Sequence, residues 1–140
     1  MYWIGIDPGE NTGFAVWDAG RKRLLELHTL KLHEAFEQVI RWGHTNALAG
    51  VVFEDARQRK WFPREKSVSE YRGRLMGAGA AKRDAAIWEE FLSDKGIHFE
   101  AHKPQSGGTK WSAEYFARVT GYTGRCSEHA RDAALLVFQR

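Results

Sequence analysis

The stretch Ile4-Gly5-Ile6-Asp7-Pro8-Gly9, which runs on through Glu10-Asn11-Thr12 to Gly13, decides the fold of this chain. Its apolar beginning predicts a short strand from Tyr2 to Ile6, and the turn residues Pro8-Gly9 end that strand. Asp7 is then the last strand residue. A second apolar run, Gly13-Phe14-Ala15-Val16-Trp17, follows at once, so the two runs are predicted to pair as a hairpin.

Asp7 is predicted to place a carboxylate at the mouth of the central sheet. Side chains alternate along a strand, so Asp7 shares one face with Trp3 and Gly5, while Ile4 and Ile6 take the other face. A carboxylate in that position is costly unless a cation meets it. Asp7 can also serve only as the first residue of an Asx-turn at the Pro-Gly pair that follows, and this stretch alone leaves both interpretations open.

The rest of the chain shows the periodicity of strands alternating with helices. In order, it predicts a strand over Leu24–Leu30, a helix from Leu32 to Gly43, a strand over Ala49–Phe53, a loop over 55–66, a helix from after Ser67 to Lys95, a strand over Ile97–His102, a loop over Lys103–Gly108, a helix from Trp111 to near Gly121 and a closing helix from His129 to Arg140. This order predicts an α/β fold, with a mixed sheet of three antiparallel strands followed by two parallel strands, flanked by helices. Within the long helix, Gly77-Ala78-Gly79 predicts close packing against another helix or backbone.

Length and composition favour one cytoplasmic domain over residues 1–140. A chain of 140 residues buries roughly two-thirds of its unfolded surface and needs no covalent staples. The one cysteine, Cys126, leaves no intramolecular disulfide and no cysteine-based zinc site. The sequence has neither a secretory leader pattern nor an apolar run of the length a bilayer needs, so we expect no membrane partner.

Basic charge is concentrated in one segment. The net charge is only +3, but residues 57–74 hold seven arginines and lysines against two glutamates, a net charge of +5. Trp61, Phe62 and Pro63 interrupt this segment. The combination predicts a nucleic-acid contact, in which the basic side chains meet phosphates and Trp61 or Phe62 stacks on bases. A solvated basic loop with its rings tucked into the domain is the alternative.

One sheet edge and one helix could bring three carboxylates and one imidazole together. Asp7 and Glu54 end predicted strands, and His129 and Asp132 lie three residues apart on one helical face. Hard oxygen ligands with an imidazole suit Mg²⁺ or Mn²⁺, and two such ions would activate water for phosphodiester cleavage. Taken singly, each residue can also be an ordinary exposed polar residue.

The order of these residues resembles the RuvC-type Holliday junction resolvases of the RNase H-like superfamily. That family opens with a GIDPG strand, here Gly5 to Gly9, followed by a TG that begins the second strand, here Thr12-Gly13. A glutamate ends a buried strand, here Glu54. A D/H-x-x-D-A motif lies on the closing helix, here His129 to Ala133, and the likeness in element order covers nearly the whole chain.

The resemblance implies an RNase H-like fold and a crossover junction endodeoxyribonuclease, with two Mg²⁺ ions, replaceable by Mn²⁺, in each active site. The implied metal ligands and catalytic residues are Asp7, Glu54, His129 and Asp132, with Lys110 as a further catalytic residue. The implied DNA contacts are Arg57, Arg59, Lys60, Trp61, Phe62, Arg64, Arg72, Arg74 and Lys103. The implied partners are four-way branched DNA and a second copy of the chain, because a symmetric dimer brings two active sites to a two-fold symmetric junction. The expected dimer interface lies along the helix from Leu75 to Phe91.

Three other functions remain open. An ATPase or kinase of the actin, Hsp70 and sugar-kinase group opens with a similar hairpin, but it needs two lobes, and 140 residues hold one. We therefore expect no nucleotide cofactor. The second function is that of a DNA-structure-binding protein without catalysis. The third is that of an RNase H-like nuclease that acts on other branched nucleic acids.

Overall fold

The computed structural model describes residues 1–59, 67–105 and 110–140, and of Arg74 it describes the backbone alone. The strands are β1 (Tyr2–Asp7), β2 (Thr12–Asp18), β3 (Arg23–Leu30), β4 (Leu48–Glu54) and β5 (Phe99–His102). The helices are α1 (Leu32–Gly43), α2 (Val68–Asp94), α3 (Ala113–Thr120) and α4 (Glu128–Val137), with a short 3-10 helix over Ala56–Gln58. In this part of the chain no helix is long and apolar enough to cross a membrane.

The five strands form one mixed sheet in the order β3-β2-β1-β4-β5. β1 pairs antiparallel with β2, and β2 pairs antiparallel with β3. β4 runs parallel to β1, and β5 runs parallel to β4. The predicted arrangement of three antiparallel strands followed by two parallel strands is confirmed. Ile6 lies opposite Phe53, so Asp7 and Glu54, the next residue on each strand, end side by side.

The two faces of the sheet carry separate cores. On one face Ile4, Ile6 and Val51 pack with α1 and with Trp88 and Leu92 of α2. On the other face lies a second cluster in which Ala15, Trp17 and Val52 of the sheet meet α3 and α4; its helix members are Phe116, Ala130, Ala133, Ala134 and Val137. Asp7 and Glu54 have the strand parity of this second face, so they point to the side that α4 covers.

Two glycines let the backbone of α4 lie directly on the sheet. A Cβ atom on Gly5 would stand 2.0 Å from the carbonyl oxygen of Ala133, and one on Gly13 would stand 1.9 Å from the carbonyl oxygen of His129. No side chain fits such a gap, since real Cβ atoms do not come that close to backbone oxygen. The start of α4, which carries His129, is thereby held over β1 and β2.

The closing helix is shorter than its apolar pattern predicts. The prediction that it reaches Arg140 is wrong, because α4 ends at Val137 and Phe138 turns into extended backbone. The Phe138 ring then packs edge-on against Trp17 at a centroid distance of 5.4 Å, and the Trp17 Nε1–H donates to the Arg140 carbonyl at 3.0 Å. Burial of this aromatic pair ends the helix. The strand β5, at the edge of the sheet next to β4, begins at Phe99 and not at Ile97 as predicted. Ile97 packs against the core on the α1 and α2 side of the sheet.

The first half of α2 lies away from the described body of the protein. A Cβ atom at Gly77 or Gly79 would have no atom within 4 Å among the described residues, so this glycine stretch does not pack closely against another described element of the same chain. Tyr71, Leu75 and Met76 are exposed there by 54%, 50% and 77%. Only the second half of the helix, from Ala85 onward, contributes buried residues.

The different surroundings of these glycines predict opposite effects of the same substitution. Gly13→Ala should lower the free energy of unfolding by about 1–3 kcal/mol, because the new methyl group forces α4 away from β2. Gly77→Ala should raise it by about 0.5–1 kcal/mol, because alanine loses less backbone entropy in a helix. Urea unfolding followed by circular dichroism measures both. Equal destabilisation by the two substitutions would contradict the open position of Gly77.

Candidate active site

Asp7 and His129 meet although 122 residues separate them. The Asp7 Oδ2 atom lies 3.1 Å from His129 Nδ1. The Asp7 side chain is 15% exposed, while His129 is 51% exposed and lies at the rim. The turn after Asp7 is tied by Thr12, whose hydroxyl donates to the Gly9 carbonyl at 2.9 Å. Asp7 therefore contacts the closing helix in addition to any part it has in the turn.

The first turn of α4 is anchored on both sides. Ser127 caps the helix, and its hydroxyl oxygen accepts from the Ala130 amide at 3.1 Å. The same hydroxyl hydrogen-bonds with Thr29 on β3. An N-cap satisfies helix amides that would otherwise have no partner, and its loss costs roughly 1 kcal/mol. The cap and the Thr29 contact together fix where α4 begins relative to Asp7.

Lys110 contacts two acidic residues of α4, Glu128 and Asp132. Its ammonium donates to Asp132 Oδ2 at 3.0 Å and also to Glu128. The hydrogen bonds to Glu128 and Asp132 raise the pKa of Lys110, and the pKa of Glu128 is lowered by its hydrogen bond from Lys110. Lys110 is therefore charged at neutral pH, so the rim of the site carries a cation.

Burial and neighbouring negative charges raise the pKa values of two acids in the site, Asp7 and Glu54. Burial raises the pKa of Asp7, the hydrogen bond from His129 partly offsets this, and the charge of Asp132 raises it further. Burial also raises the pKa of Glu54, and the charges of Asp7 and Asp132 add to that effect. Negative charge nearby therefore disfavours the charged forms of Asp7 and Glu54. Such a cluster favours any cation that can enter it.

The donor set fits a hard divalent cation, but the side chains are not arranged around one. Asp7 is turned towards His129, and Asp132 towards Lys110. As they stand, the described residues contain no group of three or more acidic, histidine or cysteine side chains that could hold a metal ion. Carboxylate oxygens and an imidazole are suitable ligands for Mg²⁺ or Mn²⁺. Rotation of the exposed His129 and Lys110 side chains would release Asp7 and Asp132 from these contacts.

The predicted DNA contacts are found in different settings. Arg57 forms ion pairs with the buried Asp55 and with Glu89 at the protein surface. Arg59 is exposed and close enough to Glu54 to lower its pKa, although burial and the neighbouring acids outweigh this. Arg72 and Lys103 are exposed. The remaining predicted contacts lie outside the described residues, entirely or in their side chains: Lys60, Trp61, Phe62, Arg64 and Arg74.

Sequence reasoning missed the residue next to Glu54. Asp55 is only 4% exposed and accepts hydrogen bonds from Arg57 and Gln58. It was grouped with the loop because it follows the apolar run and precedes a basic stretch. An acid two residues before an arginine was the available signal, but that spacing is common in solvated loops. The third partner, Glu89, lies on a distant helix and gave no local signal.

The fold is the one seen in RuvC. A structure of RuvC from Thermus thermophilus superimposes with a TM-score of 0.61 over 99% of this chain and 92% of that chain, at 17% identity. T. thermophilus RuvC in complex with a Holliday junction substrate superimposes with a TM-score of 0.58 over the same shares, at 19% identity. This chain has the RuvC fold. No protein-family model and no curated protein matches its sequence. The RuvC likeness therefore rests on three-dimensional structure and on the short motifs that hold the acidic cluster.

The raised pKa of Glu54 predicts a gain in stability when its charge is removed. For an acid whose pKa is higher in the folded state, stability falls as pH rises through the unfolded and then the folded pKa. Glu54→Gln should therefore raise the melting temperature by a few degrees at pH 7 without metal, and the gain should vanish near pH 3. Differential scanning fluorimetry in a chelating buffer measures it. Glu90→Gln on an exposed surface of α2 is the control; an equal gain there would contradict the crowding of charge.

Proposed function

We propose that this chain is one nuclease domain, residues 1–140, that cuts four-way DNA junctions by metal-dependent hydrolysis of phosphodiester bonds. The observation that carries the proposal is the meeting of Asp7, Glu54 and Asp132 at one end of a RuvC-type sheet. The raised pKa values of Asp7 and Glu54 are a sign of a functional site, because a protein gains no stability from crowding like charges. The T. thermophilus RuvC complex adds a junction substrate on the same fold.

In this proposal Asp7, Glu54, His129 and Asp132 hold the divalent ions, with Mg²⁺ as the expected metal and Mn²⁺ as a substitute. When bound, two such ions supply an activated water and stabilise the leaving oxygen. Lys110 then leaves Asp132 and meets the phosphate, where a fixed positive charge stabilises the negative charge that develops. His129 must be neutral to act as a ligand, whereas the carboxylates must be ionised.

DNA affinity is proposed to come from the basic surface that borders this site. Arg59 and Lys103 follow the ends of β4 and β5, the strand ends nearest the acids. Arg72 extends the surface along α2, and the predicted contacts between 60 and 66 lie outside the described residues. Contacts to phosphate give affinity that depends on salt and carry little sequence information. Selection of a branched substrate then depends on the shape of the DNA.

A homodimer is proposed to supply the second active site. The first half of α2 exposes Tyr71, Leu75 and Met76 together with glycines that leave its surface open. A second copy of the same helix could approach this surface closely, because glycine presents no side chain. A two-fold interface of this kind would present two acidic clusters to one junction.

The test of catalysis is substitution of single acids by their amides. Asp7→Asn, Glu54→Gln and Asp132→Asn should each reduce cleavage with Mg²⁺ at least ~100-fold, because outer and inner ligands of a metal site contribute effects of that size. Junction binding measured in Ca²⁺ should change little, because the basic surface stays. Glu26→Gln on β3 is the matched control. The substrates are a four-way junction, a flap and a linear duplex of the same sequence.

Three results would contradict the proposal in different ways. Wild-type cleavage in any of the three amide variants removes that acid from the metal site. Equal cleavage of flap and junction assigns the chain to branched nucleic acids in general. Tight junction binding by the wild-type protein, with no cleavage in Mg²⁺ or Mn²⁺, assigns it to a binding protein without catalysis.

The test of the dimer is a charge on α2. Leu75→Glu should convert the protein to a monomer in sedimentation, because two buried carboxylates would face each other across the two-fold axis. The same variant should give nicked circles in place of linear product on a supercoiled plasmid that carries a junction. Val119→Glu on α3, which is 41% exposed against 50% for Leu75, is the control. A monomeric wild-type protein that yields only nicked circles would leave a structure-selective nickase.

A further inference from the structure

Adjacent residues at the end of β4 point to opposite faces of the sheet. Glu54 has the parity of Val52 and faces the acidic cluster beneath α4. Asp55 has the parity of Phe53 and faces α2. One peptide bond therefore joins Glu54, which faces the candidate active site, to Asp55, which faces α2.

The Asp55 carboxylate is fully occupied. Its Oδ1 atom accepts from the Arg57 amide at 3.0 Å and from Arg57 Nε at 2.8 Å. Its Oδ2 atom accepts from Arg57 Nη2 at 3.0 Å and from Gln58 Nε2 at 3.3 Å. A planar guanidinium that meets both oxygens of a carboxylate fixes direction as well as distance, which an ammonium cannot do.

The same network reaches two other elements. The Arg57 guanidinium also donates to Glu89 on α2. Gln58 donates to the carbonyl of Ala101 at 3.1 Å, and the Asp55 amide donates to the carbonyl of His102 at 2.8 Å. The end of β4 is thus tied to β5 and to α2 within four residues of Glu54.

Arg57 is poorly placed to leave this network for DNA. Burial alone would raise the pKa of Asp55, but the hydrogen bonds from Arg57 and Gln58 lower it overall. Hydrogen bonds to Asp55 and Glu89 raise the pKa of Arg57. Both groups are therefore charged, and withdrawing the guanidinium would leave a buried carboxylate without its cation.

We propose that Arg57 is a positioning residue, which holds the end of β4 between Asp55 and Glu89 so that the Glu54 carboxylate is fixed towards the metal ions. This assignment replaces a phosphate contact as the role of Arg57. It rests on the proposed function, since it assumes that Glu54 is a ligand. It also makes α2, the helix proposed to hold the dimer, a support of the active site through Glu89.

The test is a double-mutant cycle with Arg57→Lys and Glu89→Gln. Lysine keeps the charge but loses the two-pronged contact. Arg57→Lys should lower the affinity for Mn²⁺, titrated by calorimetry without DNA, and the single-turnover cleavage rate in Mg²⁺, each by about 10–100-fold. Glu89→Gln should act in the same direction but less strongly, and the double variant should be no worse than Arg57→Lys alone, because both act through one contact. Glu90→Gln is the control and should match the wild type.

Junction affinity in Ca²⁺ separates positioning from phosphate binding. Arg57→Lys should leave this affinity and its salt dependence unchanged, and so should Arg57→Ala if that variant folds. Weaker binding by Arg57→Ala, with a salt slope reduced by about 1, would make Arg57 a phosphate contact and overturn the proposal. Normal Mn²⁺ affinity in Arg57→Lys at reduced unfolding stability would overturn it too, and leave a purely structural ion pair.

The outcome also separates this proposal from the proposed function. A wild-type protein that binds Mn²⁺, loses that affinity in Arg57→Lys and cuts no junction would retain the positioning role and refute the junction nuclease. A wild-type protein that binds no Mn²⁺ would refute both, because Glu54 would then have no ion to hold.

Discussion

The contact on which the rest of the structure depends is between backbone and backbone. α4 lies against β1 and β2 at Gly5 and Gly13, where a single methyl group on either glycine would overlap a helix carbonyl. That approach places His129 beside Asp7 and sets the first turn of the helix at the mouth of the sheet. Burial of the alanine-rich face of α4 supplies the driving force, and small side chains let the helix approach closely enough for polar groups to meet.

Packing brings the acids together, and electrostatics makes their meeting costly. Burial and mutual repulsion raise the pKa values of Asp7 and Glu54, while His129 and Lys110 supply only part of the balancing charge. The charge of Asp55, in contrast, is balanced by an ion pair with Arg57. One carboxylate at the end of β4 is satisfied by the protein, and its neighbour is not. The difference between Glu54 and Asp55 indicates which of them is available for function.

Sequence reasoning predicted the parts of the fold that local patterns determine. The hairpin from Tyr2 to Asp18 follows from turn residues and alternation, and Glu54 follows from an apolar run that ends in an acid. Sequence reasoning was wrong where contacts between residues far apart in the chain determine the structure. Phe138 leaves α4 because Trp17 lies near, and the glycines of α2 lie open because its first half extends beyond the sheet. The network around Asp55 depends on Glu89, which no local pattern connects to it.

The pairing of Asp7 with His129 across 122 residues bears on how the protein is made. A ribosome releases Asp7 and Glu54 long before the chain for α4 exists, and the hairpin can form early because its contacts are local. The acidic cluster is complete only when Asp132 has been synthesised and its helix has docked. A chain that ends before α4 therefore contains Asp7 and Glu54 but lacks both His129 and Asp132.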